Sequence, residues 1–164
     1  MSLHLVNTIV LGIHLVAAMF FVGGSLFVWL VLIPASYRLT DDERRRTEIV
    51  GKVARRFGHY VGAAIVILVA TGIYNATWYL DSFGALFSDT EGRILLAKII
   101  AVILLFALIA VHDIYFSRRI GQLAREGREE ELHAVRRNSR AVSAAGVVMM
   151  GIVIALVMAM HYVE

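Results

Sequence analysis

The chain has 164 residues, of which 59% are hydrophobic and 18% charged, with one proline and no cysteine. That balance is too apolar for a water-soluble domain of this length, and the missing cysteine excludes disulfides, thiolate metal sites and covalently attached c-type haem. Histidine, methionine and carboxylate remain as metal ligands, and the net charge of +3 is placed in loops where it reports membrane orientation rather than nucleic-acid binding.

The first apolar run, Leu3–Ala35, exceeds the roughly 20 helical residues needed to cross about 30 Å of hydrocarbon. It lacks a basic leader, is too long for a signal peptide and flows into a charged loop, so it reads as a retained span. His14 shares a helical stripe with Phe21, Ser25 and Leu32. The loop 37–58 holds seven Lys/Arg against four Asp/Glu, and Thr40 followed by Glu43 forms a capping-box pattern that starts a helix towards the second span.

The second run, Tyr60–Leu80, begins beside His59, which shares a face with Ala63, Val66, Ala70 and Thr77, a strip with room for a planar group. Residues 80–93 are acidic, with Asp81, Asp89 and Glu91 against Arg93, and Phe83, Leu86 and Phe87 read as interfacial anchors. The third run, Ile94–Phe116, bears Lys98 and His112 in nearly one direction, with Asp113 beside the histidine. Because adjacent helical residues do not face each other, Asp113 is expected to pair with an arginine such as Arg118 rather than to hold His112. The loop 117–140 again has seven Lys/Arg against four Asp/Glu and is expected to extend the fourth helix beyond the bilayer. In the last run, Ala141–Val163, His161 follows Ser143, Val147, Met150, Ile154 and Val157 along one stripe.

Two basic loops flanking an acidic one put 37–58 and 117–140 in the cytoplasm and both termini outside. The expected fold is all-α, a single integral membrane domain over residues 1–164 of the cell membrane. It is an up-down-up-down four-helix bundle in which helices one and four, and two and three, are neighbours.

The intramembrane histidines then fall at two levels, His14 and His161 outside, His59 and His112 inside. Paired neutral imidazoles between apolar helices suit the axial positions of b-type haem, one or two per chain. Arg55, Arg56, Arg118 and Arg119 would take propionates at the inner level, and Lys98 with Arg93 at the outer. This is the leading reading: a membrane haem protein passing electrons between a quinol, a small oxidant or a partner redox protein, with oxidoreductase activity and oligomerisation left open. His4 and His133 read as surface residues. The alternatives are copper transport or resistance, using His14, His161 and Met149, Met150, Met158 and Met160, and a structural subunit of a respiratory complex.

The segments "HLVAAMFFVGGSLFVWLVLIPA", "ARRFGHYVGAAIVILVATGIYNA" and "GRILLAKIIAVILLFALIAVHD" together resemble the CopD-like four-helix membrane proteins. The resemblance implies a role in copper resistance or uptake. A more distant likeness is to HemJ-type protoporphyrinogen oxidases, haem-binding membrane proteins in which a helix-one histidine and a helix-three lysine matter. It implies functional weight for His14 and Lys98. Histidines at 59 and 161 depart from the CopD-like pattern and favour additional axial ligands.

Overall fold

The computed structural model describes residues 3–79, 84–88 and 90–163, without the side chains of Glu43, Tyr79, Ala85, Ser88, His161 and Val163. Among the described residues all regular structure is helical: α1 (Leu3–Phe27), α2 (Ile33–Leu39), α3 (Glu43–Tyr79), α4 (Ala85–Ser88), α5 (Thr90–Val111), α6 (Ser117–Glu126) and α7 (Glu129–Val163). Four stretches are long and apolar enough to cross a bilayer: Leu3–Leu39, Arg44–Trp78, Thr90–Glu126 and Glu129–Met160.

Two of these rods contain a π-helical turn. Val28–Leu32 joins α1 to α2, with the Ile33 N–H donating to the Val28 carbonyl. Pro34 follows at once. A proline has no N–H to give to the preceding turn, and the wider π turn absorbs that break without ending the rod. His112–Phe116 joins α5 to α6 in the same way, the Ser117 N–H donating to the His112 carbonyl.

The cap of α3 differs from the sequence expectation. Asp42 Oδ1 accepts from the backbone N–H of Arg44 at 2.9 Å and of Arg45 at 3.2 Å, while Thr40 only turns the chain by accepting from the Asp42 N–H. A carboxylate in this position satisfies two orphan donors and complements the positive end of the helix dipole, which a hydroxyl two residues earlier cannot do. Most of the expected loop 37–58 is therefore helix.

The second basic segment is a tight helical hairpin. α6 ends at Gly127, whose φ of 68° is the left-handed conformation glycine adopts freely, and the Arg128 N–H returns to the Leu123 carbonyl at 3.2 Å. This turn folds Leu123 and Ala124 onto Leu132, with Ile120 and Val135 around them. Leu123 and Leu132 are the most deeply buried large side chains among the described residues, and α3 packs against α6.

Within the bundle the closest pairs are α1 with α3 and α5 with α7, the two antiparallel hairpins. The hairpins meet at the centre through Phe21, Ala64, Leu105 and Met150, one residue from each rod. Phe21 sets its ring edge-on to Phe106 with centroids 6.2 Å apart. Outward faces remain apolar and exposed, as at Val16, Met19, Val66, Val148 and Met158. Only hydrocarbon can cover such a belt at low cost, so the exposed faces are the surfaces that meet lipid. Phe87 on α4 is also exposed, and Phe83 lies outside the described residues.

Candidate functional site

The central cluster gives a ruler for depth; "outer" denotes the end that bears both chain termini. Moving seven residues outward from Phe21, Ala64 and Leu105 reaches His14, Thr71 and Lys98, so three polar side chains from three rods share one layer. The layer lies two helical turns, about 10 Å, from the centre.

His14 crosses from α1 to α3, where its Nδ1 is 2.7 Å from Thr71 Oγ1. The threonine proton is already committed to the Ile67 carbonyl at 2.6 Å. Thr71 must therefore accept, which makes His14 Nδ1 the protonated nitrogen and leaves Nε2 with its lone pair. Gly72 allows the ring to lie against α3, since a Cβ there would stand 3.4 Å from His14 Cε1. Lys98 enters the same layer from α5 and is half-buried. Among the described residues it has neither hydrogen-bond nor ion-pair partner.

One turn further out the polar column continues. The Tyr74 hydroxyl donates to Asn7 Oδ1 at 3.2 Å, joining the same two helices. Asn75 is only 9% exposed, and its Oδ1 is buried with no hydrogen-bond partner among the described residues. A buried acceptor without a donor is costly, so the outer layer contains an open polar position as well as an open imidazole nitrogen.

The inner level is built differently. His59 is exposed and its Nδ1 meets the Arg55 carbonyl of its own helix at 2.8 Å. His112 Nδ1 lies 3.0 Å from Asp113 Oδ1, within the π-helical turn. This corrects the expectation that neighbours on a helix stay apart. Arg55, Arg56 and Arg118 are exposed, and Arg119 is occupied with Glu131 at 3.6 Å.

The strip of small residues expected to make room beside His59 is also placed differently. His59, Ala63, Val66, Ala70 and Thr77 are all exposed on α3, while Ala64, Leu68, Thr71 and Asn75 turn inward. In lipid both faces of a helix are apolar, so side-chain size along one stripe does not reveal which stripe is interior. The stripe chosen on α1 holds, with Phe21 buried and His14, Ser25 and Leu32 half-buried.

His161 stands four residues beyond Val157, the position on α7 that is seven residues outward of Met150, and its side chain is outside the described residues. His4 and His133 are exposed. Among the described residues no group of three or more histidines and acids is placed to hold a metal ion. Thr71, Tyr74, Asn75 and Asn7 were not among the residues expected in the site. The signal for three of them was the segment Thr-Gly-Ile-Tyr-Asn, residues 71–75, whose first and last members lie one turn apart on one face.

The family model described as Copper resistance protein D matches residues 51–156, which includes Thr71, Asn75 and Lys98 and nearly two thirds of the chain. No curated protein and no solved structure matches, so the HemJ-type likeness finds no counterpart.

Proposed function

This chain belongs to the copper resistance protein D family, and from that premise we propose that it handles copper ions in the membrane, with the outer layer as the point of entry. The observation that supports this most is the His14 to Thr71 to Ile67 relay. Metal-binding imidazoles commonly donate their second nitrogen to an oxygen that fixes ring and tautomer, and the Thr71 hydroxyl fills that role here while Nε2 stays free.

Imidazole and thioether together suit Cu(I). Met150 is the buried methionine of the central cluster, two turns inward of the layer, and offers a thioether donor at the middle of the bundle. Copper is cargo in this reading. It is taken first by His14 Nε2 and passed inward towards Met150.

The test is the copper content of cells expressing the wild-type chain, His14→Ala or Met150→Leu, with membrane levels matched by immunoblot. Wild-type expression should change cell copper relative to empty vector, and His14→Ala should abolish the change. An unaltered copper content in all strains, together with a reduced-minus-oxidised haem spectrum from the purified protein, would replace copper with haem.

A further inference from the structure

On the lipid-facing side of the first hairpin, α1 and α3 leave an open groove of about 570 Å³. Its floor is made of small residues, Gly12 and Ala17 from α1 and Ala63 and Ala64 from α3. A Cβ added at Gly12 would meet nothing within 4 Å. No lining residue is charged, and the Tyr60 hydroxyl is the only side-chain polar group among them. We propose that this groove is a binding site for one acyl chain of a phospholipid from the leaflet at the outer end.

What fills the groove follows from what surrounds it. Water held by a protein needs roughly two to four polar partners, which one hydroxyl does not supply. Left empty, the groove would forfeit dispersion contacts along both helices. A helix of a second copy measures about 10–12 Å across with its side chains, and it would ride over a cleft between two helices whose axes stand about 8–10 Å apart. A hydrocarbon chain is thin enough to enter. The groove is also continuous with the belt that meets lipid, because Val16, 64% exposed, belongs to both.

Depth fixes the leaflet. The lining runs from Ile9 to Phe20 on α1 and from Tyr60 to Ile67 on α3. Ile9 is 12 residues outward of Phe21 in the central cluster. That is about 18 Å, past the edge of a hydrocarbon core that reaches about 15 Å from its middle. Tyr60 is four residues inward of Ala64, about 6 Å, and so still deep in hydrocarbon. Two rings stand at that end, Tyr60 and Phe20, and Phe20 packs against Phe57 with centroids 5.8 Å apart. Only the outer mouth reaches headgroup level, so the chain enters there and sets its methyl end against the rings. Bound in this way, it extends the contact between α1 and α3, the interface that also holds His14 against Thr71.

The experiment uses the purified full-length chain in phosphatidylcholine nanodiscs that include a minor fraction of the same lipid with a diazirine at one chain end. After illumination, peptide mass spectrometry should place label at Phe20 and Tyr60 at least about fivefold above other lipid-facing positions near the middle, such as Val66 and Val148. Gly12→Leu fills the groove and should cut that labelling by about tenfold. Gly62→Leu, the same enlargement at another exposed glycine with open space around it, should leave it unchanged. The wild-type labelling map decides by itself should Gly12→Leu fail to fold. Because the chain has no cysteine, Val16→Cys tests the competing occupant, and it should remain monomeric under mild oxidation in membranes. A rapid disulfide-linked dimer would assign the groove to a second copy and overturn the proposal. Even labelling around the belt, or equal loss in Gly12→Leu and Gly62→Leu, overturns it as well.

Discussion

His14 and His112 carry the same ring in the same bundle, yet the protein holds them in opposite ways. His14 is half-buried and fixed from another helix by Thr71, whose own proton is spent on α3. His112 is fixed by Asp113, the next residue in its own chain, at the basic rim. A ring oriented across a helix interface keeps one nitrogen directed at the space between helices. A ring paired with its neighbour can do no more than decorate one rod. In the proposed reading, what distinguishes the copper ligand from a rim residue is the element its partner comes from.

That contrast should be plainest in Cu(I) affinity of the purified protein, measured by competition with a chromophoric chelator. His14→Ala should lose roughly a hundredfold or more, whereas His59→Ala and His112→Ala should stay within about twofold, because removing a ligand costs more than the 10- to 100-fold typical of its orienting partner. A loss of similar size at His112 would erase the distinction between the two ends.

Thr71→Val sharpens the comparison by keeping shape while deleting the hydroxyl that orients His14. About a tenfold loss in the same assay is expected, with thermal stability little changed. Smaller still is Gly72→Ala, which places a methyl 3.4 Å from His14 Cε1, so the ring must give by a few tenths of an ångström. A two- to threefold loss is expected, in keeping with mild overpacking, and Gly72→Leu should exceed it. Asp113→Asn should have the least effect, below twofold on copper and under about 1 kcal/mol on unfolding in detergent, since its carboxylate is 64% exposed.

Much of the architecture is legible in the sequence. Four apolar runs, two basic segments and the depth of each polar residue follow from counting residues against bilayer thickness. Facing was harder. The stripe through His14 and Phe21 on α1 was legible because the histidine marked it, but on α3 the histidine marked the lipid side. Polar contrast defines the inward face in water and does not do so in hydrocarbon, where a threonine bonded to its own backbone is as silent as an alanine. Thr71 and Asn75 passed unnoticed for that reason. The cap at Asp42 was missed because an equally good motif stood two residues upstream, and the His112 to Asp113 contact because it lies in a π-helical turn that the periodicity of an α-helix does not anticipate.

The central claim is that a copper ion is first held by the outer imidazole, and X-ray absorption at the copper edge of the Cu(I)-loaded protein tests it most directly. Wild type, His59→Ala and His112→Ala should show the multiple-scattering signature of a bound imidazole, and His14→Ala should lack it. Imidazole scattering that survives in His14→Ala and disappears in His112→Ala would contradict the account and move the site to the basic rim.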